Sequence, residues 1–69
     1  MKEIDVRGLS CPQPIIQLKK AIDTGEEEIC VIADDAVARD NCVRMAEKNG
    51  FDVDLEEKEG DFRITAIKE

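Results

Sequence analysis

Apolar residues recur at two different spacings along this chain, and the spacings predict strands alternating with helices. Residues 3–7 alternate apolar with charged positions, which is the pattern of a half-buried strand, and Gly8 ends it. Residues 14–23 place apolar side chains three and four positions apart, which predicts an amphipathic helix that stops near Gly25. Because a residue that precedes proline is pushed out of the helical region, we expect this helix to begin at Pro14.

The rest of the chain repeats the alternation and then ends in two strands. Residues 29–33 form an unbroken apolar run, which suits an interior strand buried on both faces. Residues 36–49 carry a second apolar stripe at helical spacing, closed by Asn49 and Gly50 as a C-cap. Residues 51–55 and 62–67 alternate again, with a turn between them. The predicted order is therefore β-α-β-α-β-β.

This order predicts an α/β fold with a four-stranded mixed sheet. Right-handed crossovers would place both helices on one face, with the first two strands parallel and the last two paired as a hairpin. We expect one domain over residues 1–69, since a chain of 69 residues is too short for several. The predicted core is aliphatic and consists of Ile4, Val6, Ile15, Leu18, Ile22, Ile32, Met45, Val53 and Ile64.

Charge narrows the range of partners. Ten Lys and Arg against 17 Asp and Glu give a formal net charge of -7, which argues against direct binding of nucleic acid or of an anionic membrane. No signal-peptide segment and no apolar run long enough to cross a membrane occurs, so we expect a cytoplasmic location. We therefore expect neither nucleic acid nor a membrane as a direct partner.

The residue inventory leaves a thiol or carboxylates as the source of any chemistry. The chain has no histidine and three cysteines, so no Ser-His pair, Cys-His pair or histidine-containing zinc site exists. The cysteines form no CxxC, and their odd number argues against a disulfide framework. No glycine-rich phosphate loop is present. We therefore expect neither a metal nor a cofactor.

Cys11 is the strongest candidate for a reactive group. It precedes Pro12, so we expect an extended backbone there, just before a helix N-terminus whose positive field favours a thiolate. The usual alternative for a free cysteine is a small buried hydrophobe, but the polar, turn-rich surroundings of Cys11 argue against that. Cys30, central in an apolar strand, and Cys42, on the apolar stripe of the second helix, suit the core. Cys42 is also a candidate for the resolving thiol of a disulfide.

Three charged residues are expected near Cys11. Asp34 and Asp35 follow the second strand, and the carboxyl ends of parallel strands lie at the edge where the first helix begins. Capping of the second helix is the simpler interpretation of both aspartates. Arg39 opposes the helix dipole, which suggests a use near the thiolate or in a partner interface. A salt bridge to Asp35, four residues earlier, explains Arg39 almost as well.

Asp5, Gly8, Cys11, Pro12 and Pro14 together form the pattern D-x-x-G-x-x-C-P-x-P. On this pattern, and on the order of elements with an aspartate pair after the second strand, the chain resembles the TusA/SirA/YedF family of small sulfur-carrier proteins. The resemblance implies a two-layer α/β (α+β) sandwich in which Cys11 carries sulfur as a persulfide from a donor such as a cysteine desulfurase to an acceptor enzyme. The Asn49-Gly50 end of the second helix resembles that of the YedF-like branch of the family, which is associated with selenium metabolism. For the other branches, the resemblance implies a role in tRNA thiolation.

Two other classes of function remain open. In the first, the protein is a thiol-independent interaction module whose C-P-x-P segment only starts a helix and whose acidic faces recruit a basic partner. In the second, Cys11 is a redox sensor that forms a disulfide with Cys42. The carrier role needs only one exposed nucleophilic sulfur and neither a metal nor histidine, which agrees with the residues present.

Overall fold

The computed structural model describes residues 1–9 and 13–69. Its elements follow the predicted order, which is confirmed. They are β1 (Lys2–Asp5), α1 (Gln13–Asp23), β2 (Glu28–Ala33), α2 (Ala36–Lys48), β3 (Phe51–Lys58) and β4 (Asp61–Lys68).

The strands form one mixed sheet in the order β1-β2-β4-β3. β1 pairs parallel to β2, whereas β4 pairs antiparallel to both β2 and β3. Ile4, Val31, Ile64 and Leu55 lie side by side across the sheet and share one face. Both helices pack on that face, so the predicted two-layer arrangement with a hairpin at the end of the chain is confirmed. The other face carries no helix, and we call it the helix-free face.

The core lies between the helices and the sheet, and β2 contributes a different set of side chains from the one predicted. Ile29, Val31 and Ala33 are at most 1% exposed and belong to the core cluster. The expectation for Ile32 was wrong, because alternation along the strand turns Ile32 toward the helix-free face. An unbroken apolar run carries no period, so its pattern does not say which alternate positions meet the helices.

The other predicted core residues belong to the core or pack against it, and they fall into a fully buried and a partly buried group. Val6, Leu18 and Ile64 are each 1% exposed. The others are partly buried and pack against the cluster: Ile4, Ile15, Ile22, Met45 and Val53. The face of α2 toward the sheet is built from small residues four positions apart, Ala38, Cys42 and Ala46, all buried. Small side chains there let the helix backbone approach the sheet closely, as close packing of a thin core requires.

The helix ends agree with the sequence to within a residue. α1 begins at Gln13, one residue before the predicted start at Pro14. The early start is possible because the first N–H groups of a helix have no acceptor within the helix, so Pro14 loses no bond in the second position. α2 ends at Lys48 with Asn49 as its C-cap, and Gly50 has a φ of 86°. Neither helix has the length and apolar character needed to span a membrane, within the residues that the structure describes.

Candidate functional site

The chain leaves β1 through a tight turn that leads toward the motif cysteine. Val6 continues the sheet by donating its N–H to the Ile32 carbonyl oxygen at 2.9 Å, and the Leu9 N–H donates back to the Val6 carbonyl oxygen at 3.2 Å. Gly8, the third residue of this turn, has a φ of 76°, and a Cβ there would meet nothing within 4 Å. The left-handed backbone conformation, not lack of space, is therefore what requires glycine in the motif.

Both carboxylate oxygens of Asp5 accept hydrogen bonds from Arg7, two residues later. Its Oδ1 accepts hydrogen bonds from the Arg7 backbone N–H at 3.0 Å and from Nε at 2.9 Å, and its Oδ2 accepts from Nη2 at 2.8 Å. These bonds lower the pKa of Asp5 from 3.8 to about 2. Arg7 also reaches Asp61 Oδ2 at 3.1 Å, which ties the end of β1 to the start of β4. Asp5 thus stabilises the turn after β1 through its bonds to Arg7.

Arg7 is not among the site residues predicted from the sequence. The spacing of Asp5 and Arg7 could have indicated the pair. Residues two apart on an extended segment project to the same side, so oppositely charged side chains there can form an ion pair. The contact to Asp61 carried no such signal, since it joins residues 54 positions apart. That contact depends on the strand order.

Asp34 and Asp35 have different tasks at the carboxyl end of β2. Asp35 is the N-cap of α2, and its carboxylate accepts from the backbone N–H groups of Val37 and Ala38 at 3.4 Å each. The capping interpretation is therefore right for Asp35. For Asp34 it was wrong: the Oδ2 of Asp34 accepts the Gly8 N–H at 3.2 Å. Asp34 thus ties the end of β2 to the turn three residues before Cys11.

The Arg39 guanidinium pairs with Asp40 instead of Asp35, so the salt bridge to Asp35, one of the two interpretations of Arg39, was wrong. Its Nε donates to Asp40 Oδ1 at 2.8 Å, and its guanidinium lies 4.6 Å from the centre of the Phe62 ring. Asp40 raises the pKa of Arg39 and Arg39 lowers the pKa of Asp40, chiefly through this hydrogen bond. The Asp35 carboxylate is already used at the helix N-terminus, and the ring offers the guanidinium a cation–π contact instead. A role for Arg39 near the thiolate stays a prediction.

Two of the cysteines lie in the interior, as predicted. Cys42 is 0% exposed, and burial raises the pKa of its thiol from 9.0 to about 11. Cys30 is 2% exposed and points to the helix-free face, between Glu3 on β1 and Thr65 on β4. An ion pair of 3.1 Å between Glu3 Oε2 and Arg63 Nη2 joins the strands on either side of β2 above this position.

Cys11 and Pro12 lie outside the described residues, together with Ser10, so the predictions made for them stay predictions. Their neighbours along the chain are defined. Leu9, at the end of the turn, is 40% exposed, and Gln13 is exposed at the start of α1. Pro14, the last motif residue, is buried in the first turn of that helix. The N-terminus of α1 therefore begins two residues after Cys11.

A shallow cleft lies between the starts of the two helices, and we call it the interhelix cleft. It has a cavity volume of only about 20 Å³ and is lined by Leu9, Pro14, Ile15, Asp35, Val37, Ala38 and Asn41. Pockets for cofactors and drug-sized molecules run from about 300 to 1,000 Å³ and are enclosed, so this cleft is too small for such a molecule. Among residues 1–9 and 13–69, no three acidic or cysteine side chains converge as ligands of a metal ion.

Comparisons with known proteins agree on one family. The family model described as sulfurtransferase TusA matches residues 2–68. A candidate sulfur carrier protein of Methanocaldococcus jannaschii is 44% identical, over 99% of this chain and 95% of the relative. Another, from Archaeoglobus fulgidus, is 33% identical over 100% of this chain and 97% of the relative. The crystal structure of a SirA-like protein from Desulfitobacterium hafniense matches with a TM-score of 0.87 and 35% identity, covering 100% of both chains.

Proposed function

Because the chain belongs to the TusA sulfurtransferase family of sulfur carriers, we propose that it relays sulfur as a persulfide on Cys11, from a donor such as a cysteine desulfurase to an acceptor enzyme. One observation supports the choice of thiol. Cys30 and Cys42 are 2% and 0% exposed, whereas Leu9 and Gln13, which flank the Cys11 segment, both lie at the surface. A partner protein can meet a sulfur in that segment without unfolding the core.

The relay consists of two exchange steps at sulfur. The Cys11 thiolate attacks the outer sulfur of a persulfide on the donor, so a new S–S bond forms at Cys11 while the donor's S–S bond breaks and the donor cysteine leaves as a thiolate. An acceptor nucleophile then takes the outer sulfur and releases the Cys11 thiolate. Each step exchanges one sulfur bond for another, so the cycle needs no added oxidant or reductant.

The helix start favours the reactive form of Cys11. A thiolate two residues before the first residue of α1 is stabilised by the positive end of the helix dipole, which lowers a thiol pKa. Proline fixes φ, so Pro12 and Pro14 would limit the backbone conformations open to the segment that carries the sulfur. Asp34 and Asp35 act in the opposite direction, because negative charge nearby raises a thiol pKa.

The other motif residues act through the turn. Asp5 binds Arg7, and Gly8 supplies both the positive φ and the N–H that Asp34 accepts. These contacts define where the segment with Cys11 leaves the end of the sheet. We therefore assign Asp5, Gly8 and Asp34 as positioning residues.

The test is transfer of sulfur to the native protein. After incubation with a cysteine desulfurase and L-cysteine, the intact wild-type chain should gain about 32 Da, the mass of one sulfur, which a reductant removes. The Cys11→Ser variant should gain nothing, while a Cys30→Ala/Cys42→Ala variant should load like the wild type. Sulfur on folded Cys11→Ser would contradict the proposal. So would loss of loading in the Cys30→Ala/Cys42→Ala variant while it stays folded.

The burial of Cys42 counts against the redox-sensor alternative. A resolving thiol must reach its partner, and Cys42 is 0% exposed on the side of α2 that packs against the sheet, with a pKa raised to about 11. A disulfide from Cys11 to Cys42 would need the core to open first. Treatment with oxidant followed by non-reducing peptide mapping separates the two roles, since the carrier forms no stoichiometric disulfide within the chain.

A further inference from the structure

β3 is a strand of eight residues at one edge of the sheet. In the part of the chain that the structure describes, β4 is the only strand that pairs with it. The register runs one to one from Phe51 opposite Lys68 to Lys58 opposite Asp61, so no bulge interrupts β3, and it contains no proline. A long and regular edge presents a row of unpaired N–H and C=O groups, to which another extended chain can bond.

One backbone hydrogen bond at the end of the sheet shows which groups of β3 face outward. Lys68, which lies opposite Phe51, donates its N–H to the carbonyl oxygen of Glu27, just before β2, at 2.7 Å. The Phe51–Lys68 pair therefore exchanges no bonds between β3 and β4, and such pairs alternate with bonded ones along an antiparallel ladder. The backbone N–H and C=O groups of every second residue after Phe51 accordingly point away from the sheet: Val53, Leu55 and Glu57.

The side chains beside this open edge differ between the two faces of the sheet. On the helix-free face, Asp52, Asp54 and Glu56 form a row of exposed carboxylates two residues apart. None of the three forms an ion pair with another residue that the structure describes. On the face toward the helices, Val53 is partly buried and Leu55 is 49% exposed. The open edge thus has an acidic side and an aliphatic side.

These side chains decide what can pair with the edge. A second copy of this chain, whose formal net charge is -7, would place like charges beside one another, so the acidic row opposes pairing of β3 with itself. An extended segment with Lys or Arg at alternate positions would place its cations beside the three carboxylates. The residues between those cations would lie beside Val53 and Leu55, where aliphatic side chains fit.

From this geometry we infer that the open edge of β3 binds an extended segment of a partner protein, in which basic and aliphatic residues alternate, as a fifth strand of the sheet. Main-chain bonds to the edge supply affinity in such pairing, and the alternating side chains supply specificity. β3 and β1 lie at opposite edges of the sheet, three strand spacings or about 14 Å apart. The bound segment leaves uncovered the turn after β1 that leads to Cys11, so this inference stands or falls independently of the proposed relay.

The experiment titrates the isotope-labelled protein with a synthetic peptide as long as β3, in which Lys and Val alternate, and follows the backbone amides by NMR. A control peptide has Pro in place of each Val, so it keeps the charge but cannot form a bonded strand. We expect the Lys/Val peptide to shift the amides of Val53, Leu55 and Glu57. Near saturation it should also slow their hydrogen exchange about tenfold, because these N–H groups become bonded. The Pro peptide should do neither.

Variants of the protein separate the backbone bonds from the charges. Leu55→Pro removes an outward N–H that makes no bond to β4, and its matched control Leu55→Ala loses the same side chain but keeps the N–H. We expect the Kd of Leu55→Pro for the Lys/Val peptide to exceed that of Leu55→Ala about fivefold. Asp54→Asn/Glu56→Gln should raise the Kd about tenfold, whereas Glu27→Gln/Glu47→Gln, which removes two charges outside β3, should raise it less than about threefold. The charge variants test the edge even if Leu55→Pro does not fold.

Diffuse attraction between opposite charges would give a different set of results. Equal binding of the two peptides, or equal losses in the two charge variants, would overturn the proposal. So would a Lys/Val peptide that shifts no amide of β3 at concentrations up to about 2 mM, or equal binding by folded Leu55→Pro and Leu55→Ala. Sedimentation of the protein without peptide tests the other occupant, because a dimer that protects the same amides would overturn the choice of a basic segment.

Discussion

The burial of Cys42 predicts how slowly its thiol reacts with a small reagent. The experiment uses the Cys11→Ser variant, which keeps Cys30 and Cys42 in their native places, and alkylates it with iodoacetamide at pH 8 in increasing urea. Cys42 is 0% exposed, at the centre of the contact between α2 and the sheet. It therefore reports the stability of the core, independently of any partner.

Two routes to alkylation set the magnitude. In the folded chain the thiol has its pKa raised from 9.0 to about 11, which reduces the thiolate about a hundredfold at pH 8, and packing blocks the reagent as well. In the unfolded chain the thiol is ordinary, but that state is rare. A domain of 69 residues has a stability of about 3 to 10 kcal/mol, so this route slows alkylation about a hundredfold to ten-millionfold. Because each route is slow, we expect at least about a hundredfold protection.

The assay follows the two thiols by peptide mapping, and unfolding by circular dichroism. When alkylation is slower than refolding, the logarithm of the Cys42 rate should rise linearly with urea, with the slope of global unfolding. Cys30 is covered in part by the exposed Glu3–Arg63 pair beside the four-residue edge strand β1, so we expect it to react sooner and with a smaller slope. Labelling of native Cys42 within about tenfold of the rate of the unfolded chain would refute the packing described here.

Three further predictions concern stability. Arg7 holds the pKa of Asp5 at about 2, below its unfolded value of 3.8, so the stability that this pair contributes is complete above about pH 4 and is lost as the pH falls toward 2. In the Arg7→Gln variant, the stability measured by urea unfolding should therefore change less with pH between about 4 and 2, and a profile equal to that of the wild type would contradict this role of Arg7. Ile64→Ala in β4 should cost about 2–5 kcal/mol and Ile32→Ala in β2 about 1 kcal/mol by urea titration, and the reverse order would mean that the two faces of the sheet are assigned wrongly. Asp35→Ala should destabilise the protein by about 0.5–2 kcal/mol in thermal melts while Asp35→Asn does not, and equal losses would rule out the cap.

The sequence was a reliable guide wherever a pattern had a period. Ile4 and Val6 alternate with charges, and Ile15, Leu18 and Ile22 follow helical spacing, so their elements and inward faces could be predicted. In β2 every position is apolar, and the choice between the two faces is made by the helices that pack on one side. That choice depends on tertiary contacts, which is why Ile32 was misplaced.

The candidate site was predictable to a different degree. The importance of Gly8 follows from local backbone geometry, and the capping role of Asp35 from its place before a helix. The bond between Asp34 and Gly8 joins residues 26 positions apart, and it exists only because β1 and β2 are adjacent and parallel. Arg39 has several oppositely charged neighbours in sequence, so only the position of Phe62 decides that its side chain lies over that ring.

The thin two-layer fold also explains why a reactive thiol belongs at the end of the sheet. Cysteines in the middle of β2 and α2 are shielded in different ways: Cys30 lies between β1 and β4 on the helix-free face, and Cys42 lies on the side of α2 that packs against the sheet. Under the proposal, Cys11 precedes the N-terminus of α1, where a thiol would gain the field of the helix, whereas desolvation raises the pKa of Cys42. A chain of 69 residues cannot also enclose the sulfur in a deep pocket. The proposed relay therefore depends on partner proteins to exclude water around the persulfide.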